Sequence, residues 1–312
     1  MMKLALYWAV LPALAPGAHG LPGWPMGGTI VAGNAVQFGR DAWEANLAHP
    51  NATGDNAVVG FDVSQPWPST QVDGWHLAVN VTSDIPDSET MNPSNATGKT
   101  FTGTSIFLQA PANLRATFSD ESALDETTWK ICVIVVPNAP QQTASAKTEN
   151  GTCSSMSSQC VSDLQQAYAA KFARSQDCYG TPPSTPSSCG GAVNTGNFSV
   201  QQLPLDSIGG KEVFVTASEP HDPGDEKAWA DAAAQTWPVL TIWGWNARAN
   251  ASGDASPTVR LSCISARDVE PGSETPGSGS GSGSGPDSAG SRYCGSAVAA
   301  LVIACIAAYV LL

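Results

Sequence analysis

The run Trp129-Lys-Ile-Cys-Val-Ile-Val-Val136 constrains this chain more than any other stretch. Lys130 is its one charged residue, so it has no polar face to give to solvent. A run of this kind reads as a central strand covered on both sides. Further runs rich in Val, Ile, Thr, Phe and Trp cover residues 29–38, 57–63, 74–82, 100–109, 211–217, 239–245 and 258–266. Turn-forming Gly, Pro, Asn and Asp separate them, which is the pattern of short antiparallel strands. In Val239-Leu-Thr-Ile-Trp-Gly-Trp245, simple alternation puts Val239, Thr241, Trp243 and Trp245 on one face.

Two segments have helical spacing. Val161, Leu164, Tyr168 and Phe172 recur on one helix face, with Ser162 as a candidate cap. Residues 225–235 (DEKAWADAAAQ) follow Pro223-Gly224, are rich in Ala and carry acids in the first turn. Many short strands with two short helices in insertions predict a mainly β fold. The expected architecture is a β-sandwich, jelly-roll or immunoglobulin-like.

Cysteine usage sets the compartment. The chain has eight cysteines. Cys305 and Cys294 fall in the C-terminal apolar region and its approach, leaving Cys132, Cys153, Cys160, Cys178, Cys189 and Cys263. An even set in an oxidising compartment implies disulfides. No pair has the close spacing that zinc sites favour. The expected pairing joins Cys153, Cys160, Cys178 and Cys189 among themselves, stapling a Ser/Thr/Pro-rich insertion (residues 138–200). Cys132 and Cys263 would then pair across the sandwich.

Both terminal regions point to secretion. Met1-Met2-Lys3, an apolar run over residues 4–14 and a small-residue exit form a signal-peptide pattern. Cleavage is expected after Gly20, with Ala18 as the alternative. At the other end, Ala297 to Leu312 is apolar and does not continue into the basic residues that normally follow a stop-transfer helix. Small residues at 288–290, a polar spacer and this apolar tail form a GPI-anchor signal. Ser288 is the first candidate for attachment and Gly283 the second. The expected organisation is therefore a signal peptide (1–20), a disulfide-stapled ectodomain (21–266), a stalk (267–290) and a removed anchor signal (291–312). The Gly/Ser repeats of the stalk cannot bury enough apolar surface to fold. Localisation follows: the outer face of the plasma membrane and the cell wall, with the outer leaflet held through the lipid anchor.

Six Asn-X-Ser/Thr sequons, at Asn51, Asn80, Asn95, Asn150, Asn197 and Asn250, agree with passage through the secretory pathway. The formal net charge of −13 argues against nucleic acid and anionic headgroups as partners.

The arrangement Trp129-x-x-Cys132, Cys153, Cys160-Val161, Cys178, Cys189 and Trp237-Pro-Val-Leu240 resembles a family of secreted, GPI-anchored surface glycoproteins of filamentous ascomycete fungi. The resemblance covers about residues 100–265. It implies a fungal cell surface as the setting and implies no activity.

Several chemistries compete within that setting. A copper site would use His19 as a new N-terminal residue after cleavage at Ala18, with His49, His76 or His221 as a second ligand. Glycoside hydrolysis needs two carboxylates about 5–9.5 Å apart. Asp62, Asp73, Glu121, Asp125, Glu126, Glu212, Glu219 and Asp222 are the available acids, yet no strand shows the E-x-D-x-x-E spacing of wall glucanases. The Gly-x-Ser-x-Gly matches fall within the stalk and lack the strand–helix context a nucleophile needs. Carbohydrate binding without catalysis fits best, because flat indole faces can stack on the C–H face of a sugar ring. Trp67, between two prolines, leads as the exposed platform, followed by Trp43 and Trp245. The sequence thus predicts a structural or wall-polysaccharide-binding surface glycoprotein, with no cofactor. A wall-active hydrolase or copper oxidase is the alternative, and a host-facing surface protein the third reading.

Overall fold

Why the short apolar runs stack is visible in a computed structural model of the chain. It describes residues 24–26, 29–32, 36–91, 98–117, 127–136, 151–190, 193, 199–203, 210, 212–249, 251 and 255–269. The fold is mainly β, and every strand pair is antiparallel.

Three sheets form. The largest has five strands in the order β12-β4-β5-β6-β9: β4 (Ala52–Phe61), β5 (Gln71–Pro86), β6 (Thr100–Gln109), β9 (Glu212–Ala217) and β12 (Asp268–Val269). The second runs β11-β10-β7-β8, from β7 (Trp129–Val135), β8 (Ser199–Leu203), β10 (Trp237–Trp245) and β11 (Thr258–Ile264). The third is a small meander of β1 (Trp24–Met26), β2 (Thr29–Ala32) and β3 (Val36–Gly39). The expected single strand over residues 29–38 is instead two strands, since Thr29–Ala32 pairs antiparallel with Val36–Gly39. Pairing also continues to Val269, beyond the expected end at residue 266.

The first two sheets share one core. Trp75, Leu77 and Val79 of β5 cluster with Ile131, Val133 and Val135 of β7 and with Val239 and Trp243 of β10. Trp75 meets Trp243 edge-on, with ring centroids 4.7 Å apart. Burying a side chain of this size stabilises the fold by ~1.5–3 kcal/mol relative to leaving it exposed. Gly60 has to be glycine at this contact, since an added Cβ would lie 2.1 Å from the Trp75 ring.

Both outer faces are covered as well. On the four-stranded sheet, Cys132 and Ile134 of β7 and Leu240 and Ile242 of β10 pack against α3 (Ser158–Ser175). Cys160, Leu164, Tyr168 and Phe172 form its buried stripe, at the spacing the sequence carries. The Ser157 hydroxyl accepts the Cys160 N–H, so the helix is capped five residues before the expected cap, Ser162. At its other end, Gln176 takes a left-handed conformation and the Lys130 ammonium donates to its carbonyl (2.7 Å).

On the five-stranded sheet, α1 (Arg40–Leu47) and the small meander supply Trp43, Phe38 and Ile30 against Phe101, Ile85 and Val215. Two further helices are α2 (Ala112–Thr117) and α4 (Glu226–Ala234). The α4 helix is capped by Asp225, whose carboxylate accepts the N–H groups of Lys227 and Ala228. Helices α1 and α2 add to the two expected. Each is short, and α1 pairs one fully buried Trp with Leu47, too little periodicity to stand out in the sequence.

The disulfides correct the expected pairing. They join Cys132 to Cys178, Cys153 to Cys263 and Cys160 to Cys189. Only the last lies within the insertion. The other two tie it to β7 and β11, because α3 shares its core with the sheet instead of standing apart from it.

Candidate functional site

The strongest aromatic platform predicted from sequence lies at one end of the four-stranded sheet. Trp67 sits in the loop between β4 and β5, and its peptide bond to Pro68 is cis. Its backbone N–H donates to the Thr128 hydroxyl (2.6 Å). Asp62 organises this loop: its carboxylate accepts the Ser64 N–H and its carbonyl accepts the Ser69 hydroxyl. Trp67 is half-buried, its ring 4.5 Å from that of Trp245.

Trp245 and Trp43 are not platforms. Trp245 is 3% exposed and is held edge-on against Phe172 (5.5 Å) and beside Trp67. It joins the helix-side cluster of Leu240 and Ile242, so the alternation expected along β10 fails at its last residue. Trp43 is 0% exposed, and its indole N–H donates to the Ser105 hydroxyl (3.0 Å). Neither ring has a face open to a sugar, which corrects the sequence reading for both.

The histidines are dispersed. His19 lies outside the described residues. His76 is on the surface of β5, with Nδ1 2.6 Å from the Asp55 carboxylate. His221 is buried between two hydroxyls, Nε2 3.0 Å from Thr102 and Nδ1 3.3 Å from Thr100. His49 is exposed beyond the end of α1. Among the described residues, no group of three or more His, Cys, Asp or Glu could hold a metal ion.

The acids considered for hydrolysis are committed elsewhere or lie apart. Glu212 is buried and paired with Arg40 (3.2 Å), while Asp62 caps its own loop. Asp222 receives the Lys99 ammonium at 2.7 Å; that hydrogen bond and charge hold its carboxyl below the usual carboxylate range. Asp73 and Glu219 are exposed. Glu121, Asp125 and Glu126 lie outside the described residues. Of the other titratable groups, burial pushes the Tyr168 phenol well up and the Lys171 amine down.

Two sequons sit opposite each other on adjacent strands, since Thr53 of one pairs with Asn80 of the other. The Asn51 side-chain oxygen accepts the N–H (2.7 Å) and hydroxyl of Ser83, and the Asn80 amide donates to the Leu47 carbonyl. Asn95, Asn150, Asn197, Asn250 and Ser288 lie outside the described residues.

One surface feature had no counterpart in the sequence reading. A cleft of about 290 Å³ lies beside α3 and β11, lined by Gln165, Gln166 and Ala169 on the helix and by Pro257 and the first three residues of the strand, Thr258, Val259 and Arg260. Comparison with protein-family models, with curated proteins and with solved structures found no match.

Proposed function

We propose that this chain is a secreted glycoprotein tethered by a lipid anchor to the outer face of a fungal plasma membrane. There its ectodomain acts as a structural or wall-polysaccharide-binding component. The observation that carries this reading is the set of three buried disulfides, which tie the segments on either side of α3 to β7 and β11 and α3 itself, through Cys160, to Cys189. Such bonds form and persist in oxidising compartments. They agree with the signal-peptide pattern, the sequons and the anchor-signal composition. Contact with wall polysaccharide falls to Trp67, the one candidate indole with part of its surface open.

The two facing sheets are read as an immunoglobulin-like sandwich in preference to a jelly roll. The order β11-β10-β7-β8 in one sheet, with β6 beside β9 in the other, matches the strand neighbours of that Greek key. Strands β4, β5 and β12 then extend its second sheet.

Two measurements test the functional reading. Treating intact expressing cells with a phosphatidylinositol-specific phospholipase C is expected to release the protein into the medium; retention on the cells overturns the anchor. Incubating the released protein with insoluble chitin and β-glucan is expected to deplete it from the supernatant, less so for Trp67→Ala. No depletion on either polymer overturns wall binding and leaves the anchor standing.

A further inference from the structure

α1 covers only part of the outer face of the five-stranded sheet, and Asn80 stands at the border of that cover. Along this face the register sets Thr82 opposite Gly103, Asn80 opposite Ser105 and Ala78 opposite Phe107. The first two pairs lie under the helix. The Thr82 hydroxyl donates to the Asn46 carbonyl (3.3 Å), and a Cβ at Gly103 would stand 2.9 Å from the Trp43 ring. Trp43 also donates to Ser105, and the Asn80 amide donates to the Leu47 carbonyl (3.2 Å). The third pair differs, since Ala78 and Phe107 are both half-buried. Among the described residues Phe107 joins none of the three apolar clusters, although its strand neighbours Ile106 and Leu108 do.

An aromatic ring left partly open in the middle of a sheet, with only the methyl group of Ala78 opposite it, is a surface on which another flat apolar face can stack. Asn80 is its diagonal neighbour on the adjacent strand, at ~7–8 Å. Asn80 also begins the sequon Asn80-Val81-Thr82. A group attached to its side chain is barred by α1 from the Thr82 side and has room on the Ala78 side, towards Phe107.

We propose that Asn80 carries an N-glycan whose first N-acetylglucosamine lies across Ala78 and stacks its C–H face on the Phe107 ring. The transfer joins the Asn80 side-chain nitrogen to the anomeric carbon of a lipid-linked oligosaccharide diphosphate. The anomeric C–O bond breaks, the diphosphate leaves with its electron pair, and the amide gives up one proton. An Asn amide has two N–H groups, so one remains to keep the Leu47 hydrogen bond and hold the amide in place. The sugar then extends the covering layer that α1 begins. The proposal rests on passage through the secretory pathway and is independent of the lipid anchor and of wall binding by Trp67.

The test uses the full chain made in a eukaryotic secretory host and purified in detergent. Peptide mapping is expected to find Asn80 occupied. Thermal unfolding is then compared across the unsubstituted protein, Asn80→Gln, Phe107→Ala and the double variant. Each single substitution has a cost of its own, the Leu47 hydrogen bond among them, and these costs cancel in the cycle. Asn80→Gln should lower the midpoint by about 2–4 °C more beside Phe107 than in the Phe107→Ala background. A second readout needs no variant: with each glycan trimmed to one N-acetylglucosamine, NMR should show NOEs between the Phe107 ring and the sugar on Asn80. Asn80 unmodified while other sequons are occupied, equal midpoint losses in both backgrounds, or a sugar with no NOE to Phe107 would each overturn the proposal alone. No glycan at any sequon would overturn the secretory reading with it.

Discussion

Removing the Cys153–Cys263 bond is expected to destabilise the fold more than removing either of the others. It closes a loop of 110 residues, against 46 for Cys132–Cys178 and 29 for Cys160–Cys189. The chain-entropy relation converts these lengths to about 4.8, about 4.0 and about 3.6 kcal/mol at 25 °C. All six cysteines are buried, so the loss of sulfur packing on replacement by Ala is similar for each pair and the ranking should survive it.

The assay is urea unfolding of the paired variants Cys153→Ala/Cys263→Ala and Cys160→Ala/Cys189→Ala, followed by tryptophan fluorescence. The first should lose about 1.2 kcal/mol more than the second. Connectivity itself has a sharper readout. In Cys263→Ala alone, alkylation under denaturing conditions followed by peptide mapping should find the new thiol at Cys153. A thiol at Cys132 would restore the pairing expected from sequence and refute the entropy ranking, since the loop lengths would then be wrong.

Three other perturbations address the layers separately. Gly244→Ala would put a Cβ about 2.2 Å from the Phe172 ring, so it should lower the thermal midpoint through a loss of about 1–3 kcal/mol; an unchanged midpoint would mean α3 does not press on β10 here. Arg40→Met leaves the buried Glu212 carboxylate without its ion pair, and urea unfolding should show a loss of about 3–5 kcal/mol, with none expected from Glu44→Gln on the same arginine's exposed side. Lys99→Gln should raise the Asp222 carboxyl towards its ordinary value in an NMR titration. Because Lys99 lowers that pKa in the folded protein, its contribution is present above the ordinary carboxylate value and lost as pH falls through the lowered one.

The sheet-forming segments were legible because their chemistry is local. Thr100–Gln109 is bounded in the structure as in the sequence, and Glu212–Ala217 differs by one residue. Both are dense in β-branched and aromatic residues between turn formers. The helix α3 was legible for the same reason, through its stripe of Leu164, Tyr168 and Phe172. The small meander, by contrast, is held by tertiary contact. Ile30 and Phe38 form part of a cluster with Phe101 and Val215, partners far away in sequence.

The candidate site was less legible, and the reason is the number of covered faces. A tryptophan count suggests exposed stacking surfaces only where a sheet leaves a face to solvent. Here the five-stranded sheet is covered outside by α1 and the four-stranded sheet by α3, so an indole on either face of β10 is enclosed: Trp243 between the sheets, Trp245 under the helix. The same covering layers account for the disulfides. With α3 packed on Cys132 and Ile134, the insertion's cysteines lie against β7 and β11, and bonds to Cys132 and Cys263 follow from contact where sequence proximity pointed inward.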